Sequence, residues 1–330
     1  MSRVGTAAQK KRGTAMPLSN AQLRRYDHNV LRLPKDKRTE YNAQVDRLIA
    51  NLQSTVRGET EIRITRVVKA GSFAKHTILR RTSEDPVDVD VVFYIAGEDA
   101  SVETIDSLTA RIAELLQDKY PNKSVEDFTI QSKAATVAFV GSGLSVDIVP
   151  VIEDSSSSGY GWQYDIRTGS KTHTCAPCQI KFVRDRKDLD PDFRTLVRLA
   201  KKWRNRAEIK PLKSFAIELI MAHLQDVRGR STGIEQRFRD FLLYLAQSDL
   251  REVITFPENG SSVPTFSDPV VIVDPVCDTN NVASRISEAE RAEIAAAAHL
   301  AWETAYFASV EDDPALWKEL FGPTFKTEFE

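Results

Sequence analysis

The ten residues Pro86–Ile95, PVDVDVVFYI, decide the reading of this chain. They alternate valine and aspartate through Val87, Asp88, Val89 and Asp90, then run apolar from Val91 to Ile95. Successive side chains of a strand point to opposite faces. The pattern therefore predicts a strand that buries one face in its first half and both faces in its second. It also puts Asp88 and Asp90 on the same face. Two carboxylates held that close resist joint ionisation unless a cation lies between them.

Upstream, Ile62, Ile64, Val67 and Val68 predict another strand, broken at Gly71-Ser72, where GSFAKHT (71–77) enters a short helix. Tyr41, Val45, Leu48, Ile49 and Leu52 recur at helical spacing and predict a helix over about 36–56. Downstream, residues 102–119 read as a helix, with strands near 127–131, 135–140 and 145–152. The last of these carries Asp147 in SVDIVPV. Residues 154–174, rich in Ser and Gly, read as a loop. After Pro177 the pattern turns helical, over 178–188, 191–206, 213–227, 233–247 and 286–307. Four prolines make 256–283 read as irregular. The expected organisation is a flexible basic tail at 1–20, an α/β (α+β) domain with an N-terminal helix at 21–178, and a helical domain at 179–330.

With 330 residues, 42% of them apolar and 28% charged, the chain is long enough for a full core and is neither fibrous nor wholly disordered. No apolar run reaches the ~18–20 residues of a membrane helix, and the N-terminus lacks a signal-peptide core. Three cysteines make no disulfide framework, so a reducing, cytoplasmic setting is expected. The net charge of −2 hides an asymmetry. Residues 1–80 carry an excess of 11 positive charges and 181–230 an excess of 7, while 81–180 and 231–330 are strongly acidic. Basic blocks flanking an acidic one suit metal-binding carboxylates opposed to phosphate-binding cations.

The ordered set of Gly71-Ser72, then Asp88-Val89-Asp90, then Asp147 carries the chemistry. Asp147, brought in from a neighbouring strand, completes three carboxylates for Mg²⁺, with Mn²⁺ as a substitute. Two metals so held stabilise the attacking and leaving oxygens of an in-line phosphoryl displacement. The Gly-Ser turn offers backbone amides and a hydroxyl to a triphosphate. Each feature alone is weak, and their order makes the signal.

The set resembles the nucleotidyltransferase superfamily with a polymerase-β-like palm. It is most similar to the cGAS/DncV-like (CD-NTase) family, nearest bacterial clade C (CdnC), and more distantly to oligoadenylate synthases. GSFAKHTILR, SGLSVDIVPV, LVRLAKKWRNR (196–206), LKSFAIELI (212–220) and VIVDPVCDTNNVA (271–283) carry the likeness over roughly residues 35–325. The resemblance implies a mixed-sheet palm with an oligoadenylate-synthase-like helical lobe. It implies that Gly71 and Ser72 hold the donor triphosphate, that Asp88, Asp90 and Asp147 bind the metals, and that Lys201 and Ser214 reach the phosphates from the lobe. By residue chemistry alone Lys201 would be one more solvated cation between Arg194 and Arg206. The sequence departs from the family at His76, where a Gly is frequent.

The implied activity joins nucleoside triphosphates, ATP among them, into a cyclic di- or trinucleotide messenger of CBASS antiphage defence. The implied partners are a HORMA-domain activator, an AAA+ ATPase regulator and double-stranded DNA at the basic N-terminal face, with no membrane. A linear oligoadenylate synthase and a catalytically silent nucleic-acid sensor on the same fold are the alternatives.

Two further clusters stay open. His173, Cys175 and Cys178 are either a partial zinc set or small buried and loop cysteines. Tyr160, Trp162 and Tyr164 lie in the expected loop, where one of them could stack on a base. Phe93, Phe139, Trp203, Phe215 and Trp302 read as core.

Overall fold

The Val-Asp stretch forms the strand that its alternation requires, β2 (Val87–Ile95). Its neighbours are β1 (Ile64–Lys69) and β5 (Leu144–Glu153). The order continues β1-β2-β5-β4-β3, with β4 at Ala135–Phe139 and β3 at Phe128–Ile130. The β2–β5 pair is parallel and the other pairs are antiparallel, so the sheet is mixed. The structure is a computed structural model that describes residues 18–80, 86–97, 102–166, 169–230, 232–260, 263–311, 313–326 and 328. Most of the expected basic tail, with Lys10, Lys11 and Arg12, lies outside the described residues.

The sheet has two chemically different faces. Val87, Val89, Val91 and Phe93 point to one side, with Val146 and Ile148 of β5 and Val137 of β4. There they meet Tyr41, Val45, Leu48 and Leu52 of α2 (Lys35–Glu59) and Ile112, Leu115 and Leu116 of α4 (Val102–Lys119). Burying each such side chain contributes about 1.5–3 kcal/mol, and this face supplies the domain's own core. The opposite face carries Asp88, Asp90, Val92 and Tyr94 beside Asp147, Val149 and Val151. Its apolar members pack with Ala134 and Ala176 toward the helical part.

The second half forms α5 (Ala176–Leu189), α6 (Phe193–Arg206), α7 (Ser214–Arg228), α8 (Ile234–Ser248), α9 (Glu288–Glu311) and α10 (Pro314–Phe321). Trp203, Phe238, Phe241, Phe321 and Phe325 anchor one shared core. The chain's first helix, α1 (Asn20–Tyr26), belongs to that core as well: Leu23, Tyr26 and Leu31 are buried in it, and Tyr26 packs edge-on to Phe325. A capping box of Ser19 and Gln22 starts α1. Arg24 clamps Asp192, at the start of α6, with bonds of 2.7 and 2.8 Å. Residues 19–31 therefore pack on the helical lobe, although sequence order groups them with the palm.

The stretch 154–174 corrects the loop expectation. It folds as a hairpin of β6 (Gly161–Asp165) and β7 (Ser170–Thr174), joined to β5 through Ile152–Trp162 and Glu153–Gly161. Gly161 is what misleads: a Cβ there would meet Val151 Cγ1 at 2.4 Å and the Ile152 carbonyl oxygen at 2.5 Å. Glycine is required for the strands to approach, and it does not mark a break. Within 256–283, a short hairpin of β8 (Val273–Asp274) and β9 (Cys277–Asn281) interrupts an otherwise irregular course.

Candidate active site

Parallel pairing in register sets Asp90 of β2 directly beside Asp147 of β5, with Asp88 beside Ser145. All three carboxylates share the face turned to the helical lobe. Asp90 is pushed up to about 6 by burial and by the neighbouring Asp147 carboxylate, against the pull of Lys75. Asp147 is raised by burial and by Asp88, although it accepts a 2.6 Å bond from Thr136 Oγ1. Gln131 Nε2 reaches the same Asp147 oxygen at 3.3 Å. No three His, Cys, Asp or Glu side chains among the described residues are drawn together tightly enough to hold a metal as they stand. The donor set nevertheless fits a hard divalent ion: every ligand is oxygen, and the mutual repulsion is of the kind a cation relieves.

Gly71 adjoins this carboxylate face. It has φ +58°, in the left-handed region. It opens α3 (Gly71–Lys75), and the Ala70 amide bonds the Asp90 carbonyl at 2.7 Å. Ser72 is half-buried beside it, and its carbonyl accepts the Thr77 and Ile78 amides. His76 caps α3 with φ 60°, the conformation for which glycine is the usual choice. Arg198 holds that conformation with a 2.6 Å bond to the His76 carbonyl. The departure at His76 thus keeps the turn and adds a side chain at its exposed end.

Lys201 and Ser214 come to this region from the lobe. Lys201 is only 2% exposed. Its ammonium donates to Glu218 Oε1 at 2.8 Å and to Thr77 Oγ1 at 3.0 Å. Lys75 donates to the other Glu218 oxygen at 3.0 Å and lies over the Phe215 ring. Against burial, which alone would raise it, Lys201 and Lys75 hold the Glu218 carboxyl down to about 2. Lys201 is thus held between Glu218 and Thr77, with its third donor on the Thr77 carbonyl at 3.4 Å. Ser214 opens α7, half-buried, 3.4 Å from Arg204 Nη2. Glu218, Lys75 and Thr77 escaped the sequence reading, as did Gln131 and Thr136. A lone acid inside the apolar run FAIELI was the available signal for Glu218.

Cys175 and Cys178 form a disulfide across the first turn of α5, which corrects the expectation of unpaired cysteines. Cys175 is the N-cap, and one helical turn brings the Cα atoms to 5.2 Å, within bridging range. Both thiols are thereby withdrawn from metal ligation. His173 bonds Asp154 at 2.9 Å between the rings of Tyr160 and Trp162. Tyr164 and Trp162 also pack against a small core of Ile95, Leu108 and Ile152, so these aromatics are engaged within the protein.

The sequence pattern of the Second Messenger Oligonucleotide or Dinucleotide Synthetase (SMODS) domain matches residues 16–179. A CBASS oligonucleotide cyclase CdnC of Escherichia coli strain KTE188 is 66% identical over 313 residues, covering 95% of this chain and 99% of that protein. A cyclic AMP-AMP-AMP synthase of E. coli strain MS 115-1 is 34% identical over 92% of this chain and 96% of its own length. Two solved structures of E. coli MS115-1 CdnC share the fold. The complex with HORMA-deltaN superposes with TM-score 0.78, 33% identity and coverage of 93% of this chain and 98% of that one. The structure with ATP gives TM-score 0.80, 31% identity and coverage of 94% and 99%.

Proposed function

This chain belongs to the family of second messenger oligonucleotide or dinucleotide synthetases, and on that premise we propose how its nucleotidyltransferase site works and what it makes. The chain is an oligonucleotide cyclase of the CBASS type. Its proposed product is a cyclic tri- or dinucleotide built from ATP, in line with the relative that makes cyclic AMP-AMP-AMP and the relative solved with ATP.

The observation that carries the reading is the register of Asp90 against Asp147 beside Gly71. Asp88, Asp90 and Asp147 would hold Mg²⁺, with Mn²⁺ as a substitute, and the bound ion supplies positive charge to the phosphoryl group under attack. Asp147, fixed by Thr136, accepts the proton of the attacking ribose hydroxyl. That hydroxyl displaces pyrophosphate from the α-phosphate of the donor. The Gly71–Ser72 backbone and the Ser72 hydroxyl cradle the donor triphosphate. Ser214 faces it from the lobe. Lys201, bonded to Thr77 and Glu218 at the base of the Gly71–Thr77 turn, reaches the donor phosphates from the lobe. Repeated transfer followed by ring closure gives the cyclic product.

The proposed partners are a HORMA-domain activator, as in the CdnC:HORMA-deltaN complex, an AAA+ ATPase regulator and duplex DNA. For DNA, the supporting feature is a cationic cluster around His76. Burial and then Arg38, Arg194, Arg32 and Arg198 push that imidazole down to about 4. Arg32 and Arg194 make no ion pair among the described residues, and Arg194 Nε is buried without an acceptor. Such a cluster takes phosphate, with an affinity that falls steeply with salt. No helix among the described residues is long and apolar enough to cross a membrane, and the proposed location is the cytoplasm.

The test is incubation with α-labelled ATP and Mg²⁺, with and without duplex DNA and a HORMA partner, followed by phosphatase treatment and mass spectrometry. A phosphatase-resistant ring, absent from Asp88→Ala/Asp90→Ala, is expected. Products that lose their terminal phosphates would support a linear synthase instead. Full biological function in the double variant would support a silent sensor.

A further inference from the structure

The turn that joins β3 to β4 carries a cation, Lys133, that has no hydrogen bond or ion pair among the described residues. It is closed by the Gln131 amide on the Ala134 carbonyl at 2.8 Å and pinned by the Ile166 amide on the Ser132 carbonyl at 2.7 Å. Gln131, on this turn, touches Asp147 at 3.3 Å and Thr136 at 2.9 Å. Ala134 is buried on the carboxylate face with Val92 and Val149. Between them stands Lys133, half-buried.

The charges that act on Lys133 come from the helical lobe, Arg285 and Asp274, and both are engaged elsewhere. Asp274 is fully buried and accepts from Gln179 at 3.0 Å, Asn280 at 3.1 Å and the Val276 amide at 3.1 Å. Arg285 is paired with Asp165 and reaches Ser132. Lys133 itself makes no hydrogen bond or ion pair among the described residues. Burial disfavours its charge. A half-buried ammonium with no protein partner gains a charge-assisted bond when an anion reaches it.

The turn lies toward the lobe-facing side, three residues beyond the Thr136–Asp147 pair, or roughly 10 Å along the strand direction. A nucleotide whose ribose hydroxyl sits at Asp147 carries its 5′-phosphates on the far side of the sugar. We propose that Lys133 binds the 5′-phosphates of the acceptor nucleotide, and so selects a triphosphorylated acceptor for the first transfer. The proposal rests on the transferase reading above and adds a specificity residue to it. A lysine, as a compact point charge on a flexible stem, suits a polyphosphate that must later leave when the ring closes.

The test is a competition. Wild type, Lys133→Gln and Lys133→Arg, each with Mg²⁺, duplex DNA and the HORMA partner, receive ATP as donor with equimolar ATP and adenosine as acceptors, and early linear products are separated by mass spectrometry. The ratio of 5′-triphosphorylated to unphosphorylated dinucleotide is read. Damage to the fold lowers both products and leaves the ratio unmoved. Loss of one charge-assisted bond should lower the ratio about tenfold or more in Lys133→Gln, with recovery in Lys133→Arg. An unchanged ratio in an active Lys133→Gln overturns the assignment alone. A wild type that forms no phosphodiester overturns the transferase reading and this inference with it.

Discussion

Gly71 and Asp90 are packed so closely that a Cβ on Gly71 would lie 1.6 Å from Asp90 Oδ2 and 2.6 Å from its Cγ. The missing side chain is what lets the turn and the carboxylate occupy one corner. Gly71→Ala must swing the Asp90 carboxylate aside and also bear the left-handed φ. Misplacing a reacting group by about 1 Å costs on the order of 10²-fold in rate. Activity should therefore fall at least that far, while the melting temperature falls only modestly. Near-normal turnover in this variant, measured by pyrophosphate release, would show that Asp90 has room to spare.

Asp90 is held ionised at a cost. Its pKa of about 6, raised by burial and then by Asp147, means that the folded chain disfavours the carboxylate at neutral pH. Asp90→Asn removes the charge and keeps the shape. It should abolish nucleotidyl transfer and, with a chelator present, raise the melting temperature above that of wild type. A variant both inactive and less stable would contradict this account.

Glu218 balances two buried ammonium groups, Lys75 and Lys201. Removing one partner of a buried ion pair typically costs about 3–5 kcal/mol. Glu218→Gln should destabilise on that scale. Burial already lowers the Lys201 pKa. The unfolded chain, with its ordinary lysine, then binds more protons at alkaline pH, so stability rises with pH there. The rise should be steeper in Glu218→Gln than in wild type, and melting curves from pH 7 to 10 would reveal equal slopes if the charges were already satisfied by other groups.

His76 occupies a left-handed cap that costs a non-glycine residue about 1–2 kcal/mol. His76→Gly should leave the fold intact and be neutral or stabilising by up to about 1 kcal/mol in chemical denaturation. A clear loss of stability would mean that the imidazole packs more strongly than its exposure indicates.

The alternation of residues in the chain decides, before any folding, which sheet face bears the chemistry. In PVDVDVVFYI a period of two can bury the valines only by turning both aspartates to the other side, and no tertiary arrangement alters that. Helical spacing set α2 and the lobe helices in the same way, because a core face repeats at 3.6 residues wherever it packs. Short-range patterns could not supply what depends on distant neighbours. Gly161 read as a loop residue because the Val151–Ile152 backbone that demands a glycine lies outside its window. The pairing of Asp147 with Asp90, across 56 intervening residues, needed the parallel register. By residue chemistry alone Lys201 read as a solvated cation, because Glu218 and Thr77, which hold it, lie on α7 and on the Gly71–Thr77 turn. The burial that makes Lys133 conspicuous is likewise a product of the lobe closing over the sheet. Periodicity is a property of a chain and is fixed by its backbone geometry, whereas burial and charge pairing are properties of a fold and arise only when separate segments share the same space.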